Sequence, residues 1–185
     1  MRTLGATIIS MQSFILTHFG EESYNKWFRA LPDKSKELLQ THPRLDQWYP
    51  LIDGLSVPTK TLCDVFYQGK VQGAWELGRY SADYAMTTLM KIFLKVSNVS
   101  FIIKCATKIL ARYYDPCKLE VVQSEPGEAV IRIVEFEEMT PFVENRIAGY
   151  MQRAAELTGG REVNVFIGPS LTKANPYTEF KVQWK

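Results

Sequence analysis

Histidine is almost absent from this chain of 185 residues: His18 and His42 are the only two, both in the first quarter. No Ser-His-Asp or Cys-His catalytic set can be built from residues that neighbour one another in sequence. Cysteine is scarce as well. Cys63, Cys105 and Cys117 are odd in number and lack Cys-x-x-Cys or Cys/His spacing, which excludes a disulfide framework and a structural zinc site. Reduced thiols in a cytoplasmic protein fit that pattern. Cys63 and Cys105 read as small buried hydrophobes, and Cys117, in the Asp115-Pro116 turn, as the accessible thiol. No apolar run reaches the roughly 18 residues of a membrane helix, and Thr7, Ser10, Gln12 and Ser13 interrupt the N-terminal stretch that could pass for a signal peptide. The net charge of +2 provides no basic field for nucleic acid. Neither a Gly-x-Gly-x-x-Gly fingerprint nor a phosphate-binding loop occurs. The expectation is a chain without catalytic machinery, metal, cofactor or transmembrane segment.

What is present suits one α+β unit. Hydrophobic residues make up 46% and charged residues 23%, which is enough to fill a core without staples. Leu4, Ile8, Met11, Ile15 and Phe19 recur at helical spacing and predict a first helix over 3–19, ended by Gly20. A second is predicted over 21–31, with Trp27 on its apolar face. After a short helical turn at 35–40 and an aromatic turn at Trp48-Tyr49-Pro50-Leu51, Ser56 reads as the N-cap of a third helix. The longest helix is predicted over 74–96 and a fifth over 99–114. Alternating apolar residues then predict two strands over 119–123 and 129–136, joined by the Pro126-Gly127 turn. A helix from Thr140-Pro141 to Gly159-Gly160 follows, and two more strands close the order β-β-α-β-β, with Lys173-Ala174-Asn175-Pro176 turning between the last two. The expected fold is a helical N-terminal half packed on a four-stranded antiparallel sheet, as a single domain with a helical extension over 1–50 and an α+β core over 51–185.

Two helices carry rows of small residues. Ala74, Gly78, Ala82 and Ala85 share one face of the long helix, and Ala148, Gly149 and Ala155 form a similar row on the last. Glycine inside a helix costs about 1 kcal/mol against alanine, so it has a reason. Close helix packing is favoured over a ligand groove. The same helices bear Trp75, Arg79, Tyr84, Arg112, Tyr113, Tyr114, Tyr150 and Arg153. Apolar walls with one or two guanidinium groups would suit an acidic or aromatic ligand. The candidate ligand-binding residues are Trp75, Gly78, Arg79, Tyr113, Gly149, Tyr150 and Arg153. The competing reading is plain interfacial packing, with the arginines reaching to water.

Leu31-Pro32, Trp48-Tyr49-Pro50, Glu76-Leu77-Gly78-Arg79, Arg112-Tyr113-Tyr114-Asp115, Gly149-Tyr150, Glu156-Leu157-Thr158-Gly159 and the closing Glu179 to Trp184 resemble, in order, segments of an uncharacterised bacterial family abundant in myxobacteria. The C-terminal half is also similar to the superfamily of the 4-vinyl-reductase domain, the heme nitric-oxide-binding domain and the Bet3-type TRAPP subunits. That resemblance implies helices on an antiparallel sheet that enclose a small hydrophobic molecule or heme, or act as a dimeric scaffold. Three departures bear on it. The heme-binding members have a proximal histidine after the long helix and a Tyr-x-Ser-x-Arg clamp, and this chain has neither. Thr178 stands where vinyl-reductase-type domains carry a cysteine. The palmitate-carrying cysteine of the TRAPP subunits has only Cys63 and Cys105 as candidates, by helical location. The expectation is therefore a homodimeric, non-catalytic module for a small apolar or amphipathic ligand, without histidine-ligated heme. The alternatives are a ligand-free scaffold, whose exposed aromatics such as Trp27 form its interface, and a tetrapyrrole-related enzyme.

Overall fold

The computed structural model of the chain describes residues 1–88 and 98–185, without the side chains of 86–88. Helix α1 (Gly5–Ala30) merges the first two expected helices. At Gly20 the backbone turns to φ 81°, a left-handed value that glycine adopts without a Cβ clash, and the helix resumes in a new direction. Arg2–Leu4 is not the start of this helix but a strand, β1. Its pairing partners override the helical pattern: β2 (Trp48–Pro50) lies on one side and β3 (Tyr114–Asp115) on the other, and Arg2 is ion-paired with Asp115. The first helical N–H groups of α1 find acceptors in the adjoining loop, from Gly5 to the Gln47 carbonyl at 2.7 Å and from Ala6 to that of Leu45 at 3.2 Å.

Helix α2 (Asp33–Gln40) follows. A π-helical turn (Ile52–Ser56) then feeds directly into α3 (Val57–Phe66). Ser56 is consequently not an N-cap: its own backbone is helical, the Val57 N–H is already taken by the Ile52 carbonyl, and its hydroxyl has no partner. Helix α4 (Gln72–Thr88) begins two residues earlier than expected, and its expected continuation over 89–96 lies outside the described residues. Helix α5 (Val99–Tyr113) is capped by the Asn98 side chain, which accepts from the Phe101 N–H at 3.0 Å.

The second half follows the expected order. Strands β4 (Lys118–Glu125) and β5 (Glu128–Glu135) form a hairpin through Pro126-Gly127, with Gly127 at φ 86°. Helix α6 (Pro141–Leu157) has Thr140 as N-cap and stops where Gly159 takes φ 97° and the Gly160 N–H returns to the Ala155 carbonyl. Strands β6 (Asn164–Ile167) and β7 (Thr178–Gln183) complete an antiparallel sheet in the order β4-β5-β7-β6. In the loop between them the left-handed position is taken by a residue other than glycine. Ser170 caps a 3-10 turn (Leu171–Lys173), and Ala174 adopts φ 58°.

Register decides which sheet face is apolar. Ile131 opposes Phe180, and Val182 lies between Ala129 and Val165, so the alternate residues point to one side. There they pack with Val143, Ile147 and Ala148 of α6 and with Ile103 and Leu110 of α5. A second core joins Ile8, Met11 and Ile15 of α1 to Leu62 of α3 and to Ala74 and Leu77 of α4. Trp27 belongs to that second core and is wholly buried, its indole N–H donating to the Pro58 carbonyl at 3.0 Å. It is therefore not the exposed interface aromatic expected from the sequence.

Candidate functional site

Helices α4 and α6 lie in direct backbone contact. A Cβ added to Gly78 would stand 2.0 Å from the Arg146 carbonyl oxygen, and one added to Gly149 would stand 2.1 Å from that of Trp75. The two small-residue rows thus pack against each other, and neither glycine reaches a cavity wall. Polar side chains lace the same seam. The Trp75 indole donates to Gln152 at 2.8 Å. The Arg79 guanidinium meets both oxygens of Glu156, at 2.8 and 2.9 Å. Arg153 donates to Asp83 at 2.9 Å and to Glu156 at 3.0 Å. Burial alone would raise the Glu156 carboxyl, but hydrogen bonds from Arg79 and Arg153 and their charges hold it below its ordinary value. Trp75, Arg79 and Arg153 therefore have partners within the protein and do not line the cavity on the other side of α6.

A cavity of about 540 Å³ opens on the other side of α6. Its volume falls inside the range of small-molecule sites, in a protein interior that otherwise leaves few voids larger than a water. Ile102 and Ala106 of α5, Leu119 and Ile131 of the sheet, and Ile147 and Met151 of α6 form much of its wall. Thr7 and Ser10 of α1 and Ser81 of α4 contribute its aliphatic hydroxyl groups. The exposed side chains of Leu45, Trp48 and Arg112 mark its rim. Of the candidates named from the sequence, the structure brings Tyr113 and Tyr150 together here, their ring centroids 6.1 Å apart. Tyr84 and Tyr114 join them on the wall. Burial is the main cause that pushes the hydroxyls of Tyr114 and Tyr150 above the ordinary tyrosine value, so both stay protonated.

The residue that sequence reasoning missed is Arg146. Its side chain is 2% exposed and lies on the cavity wall. Nη2 donates to the Thr7 carbonyl at 2.7 Å, to Ser81 Oγ at 3.1 Å and to Ser10 Oγ at 3.2 Å, while Nη1 has no acceptor. Ser10 and Ser81 can accept because their own hydroxyls donate to the carbonyls of Thr7 and Leu77. Burial pushes the guanidinium below its ordinary value, partly opposed by Tyr114. A signal for it did exist in the sequence. Position 146 precedes Gly149, Tyr150 and Arg153 by three, four and seven, the spacing of one helix face.

No protein-family model and no curated protein matches the sequence. Solved structures do match its shape. The H-NOX protein from K. algicida in the Fe(II) unliganded state superposes with a TM-score of 0.72 at 7% identity, covering 98% of this chain and 96% of that one. The fold is that of the H-NOX proteins. An H-NOX protein from S. oneidensis in the Fe(II)NO ligation state gives 0.69 at 9% identity, over 98% and 99% of the two chains, and an H-NOX domain from Shewanella oneidensis in the Fe(II)CO ligation state, solved in solution, gives 0.65 at 10% identity over 98% of each.

Heme occurs in that family, and the residues here can be tested against it. An iron porphyrin needs an axial donor, most often histidine or cysteine thiolate. No described wall residue is either. His18 is hydrogen-bonded to the Phe14 carbonyl at 3.0 Å and packs on the Phe14 ring, and His42 is exposed in a turn. Cys63 belongs to the second core, and Cys105 and Cys117 lie off the cavity wall. Burial keeps Tyr114 and Tyr150 protonated, and Met151 has no histidine opposite it. The cavity does not fit a histidine-ligated heme.

Proposed function

We propose that this chain is a non-catalytic module that encloses a small apolar or amphipathic molecule between α5, α6 and the sheet. One observation carries the reading: the first core leaves a cavity of about 540 Å³ against those elements. Such a void forfeits dispersion contacts along its whole lining, a loss that an apolar ligand restores. The described wall holds no histidine, cysteine or lysine, and its one carboxylate, Asp46, is exposed, which supports binding over catalysis. Trp27, the aromatic named as an example for the scaffold alternative, is buried and does not support it. A cytoplasmic homodimer belongs to the same proposal, and native mass spectrometry before and after denaturation reports both assembly state and any retained small molecule.

The direct test uses N-phenyl-1-naphthylamine, an uncharged dye that fluoresces in apolar surroundings. The wild-type chain should bind it at one site. Ala106→Trp, which fills the cavity from α5, should abolish binding while the protein stays folded. Equal binding by both proteins would refute the cavity as the site.

A further inference from the structure

The wall of this cavity holds a cation with no anion. Arg146 is 2% exposed, and every acceptor it meets is neutral: one backbone carbonyl and two serine hydroxyls, all on Nη2. Its other terminal nitrogen, Nη1, meets none. Buried arginines are ordinarily paired with carboxylates, because three dipoles do not replace the hydration of a full charge. Even the half-buried arginines of the same helix pair have a carboxylate, since Arg79 and Arg153 share Glu156. Among the described wall residues the one carboxylate is Asp46, which is exposed and ion-paired with Arg44 at 3.7 Å. Glu144, two residues from Arg146, is engaged by the hydroxyls of Ser170 and Thr172. Nothing in the described protein neutralises Arg146.

We infer that the ligand supplies the missing charge: an amphipathic anion whose single carboxylate accepts from Arg146 and whose aliphatic body fills the apolar part of the cavity. The inference rests on the ligand-binding reading above and names the chemical class it implies. A carboxylate matches the planar fork of a guanidinium, and Nη1 is the nitrogen that has no acceptor in the described protein. The aliphatic surfaces of Ile102, Ala106, Leu119, Ile131 and Ile147 suit a saturated chain.

The experiment displaces N-phenyl-1-naphthylamine with decanoate and with 1-decanol, which has the same chain and an uncharged head. On the wild-type protein decanoate should compete at concentrations about ten- to a hundredfold lower than decanol, the difference expected for a hydrogen bond to a buried charge. Arg146→Met should remove that preference and leave decanol competition unchanged. Should Arg146→Met fail to fold, Arg146→Lys and Arg146→Gln replace it: lysine should keep the preference and glutamine should lose it. Equal competition by the two ligands on the wild-type protein overturns the charge assignment and leaves the cavity reading standing. A preference that survives in Arg146→Met or Arg146→Gln overturns it too, by placing the anion elsewhere. Absence of dye binding to the wild-type protein would be a failure of the cavity reading itself.

Discussion

Substituting Gly78 with alanine sets two effects of opposite sign against each other. In an exposed helix the change stabilises by about 1 kcal/mol, because alanine is the better helix former. In α4 the new methyl would stand 2.0 Å from the Arg146 carbonyl oxygen and 2.9 Å from the Tyr150 nitrogen. Ordinary contact begins near 3.4 Å, so α6 must retreat by about 1.4 Å along that line. Both obstacles are backbone atoms of a helix, and no rotamer change can move them. Overpacking of a core typically costs about 1–3 kcal/mol, and parting two helices by this much forfeits dispersion along the whole seam. The net loss should be about 2–4 kcal/mol, which lowers the melting temperature of a chain this size by roughly 5–15 °C. Thermal and urea unfolding followed by circular dichroism measure it. Gly149→Ala, 2.1 Å from the Trp75 carbonyl, should cost a similar amount. The double variant should cost less than the two losses added, since one retreat of the helix relieves both clashes. A Gly78→Ala protein as stable as wild type, or more so, would show that the helices are not in backbone contact and would refute the reasoning.

Other perturbations follow from the same packing. Trp27→Ala removes the largest wholly buried side chain and leaves the Pro58 carbonyl without its donor, so it should cost about 3–5 kcal/mol in urea unfolding. Burial pushes the Cys63 and Cys117 thiols up to about 12, so both should resist iodoacetamide at pH 8 in the native protein and react once urea unfolds it, as peptide mass mapping would report. Glu156 titrates below its unfolded value of roughly 4.3, so its contribution is complete above that pH and is lost as the pH falls through the lower native value. Glu156→Gln should therefore be less stable than wild type at pH 7, with the difference shrinking below about pH 4 in a series of urea titrations.

The legible parts of this fold were those set by local chemistry. The Pro126-Gly127 turn, the Thr140 cap and the Gly159-Gly160 stop stand where turn and cap residues place them. The alternation of Ile131, Ile133, Phe180 and Val182 gave the buried sheet face, because side-chain period alone decides it. Features that depend on distant partners were not legible. Arg2–Leu4 became a strand because Trp48–Pro50 and Tyr114–Asp115 flank it, and no local signal encodes either neighbour. The candidate site divided along the same line. Tyr113 and Tyr150 reach the cavity, whereas Arg79 and Arg153 find Glu156, since sequence spacing cannot say which arginine meets a carboxylate. Close packing was correctly favoured for the glycine rows, and Cys117 proved half-buried against the core instead of freely accessible.

The glycine seam also fixes how the molecule can move. Helix α4 contributes Ala74 and Leu77 to one core, and α6 contributes Ile147 and Ala148 to the other. With carbonyls seated on bare glycine Cα atoms, neither helix can slide past the other, because one residue's rise of about 1.5 Å would drive an oxygen into the next side chain. The pair is a single rigid spar spanning both halves. A displacement at Tyr150 or Met151 on the cavity wall should therefore carry α4 along with α6, Leu77 included.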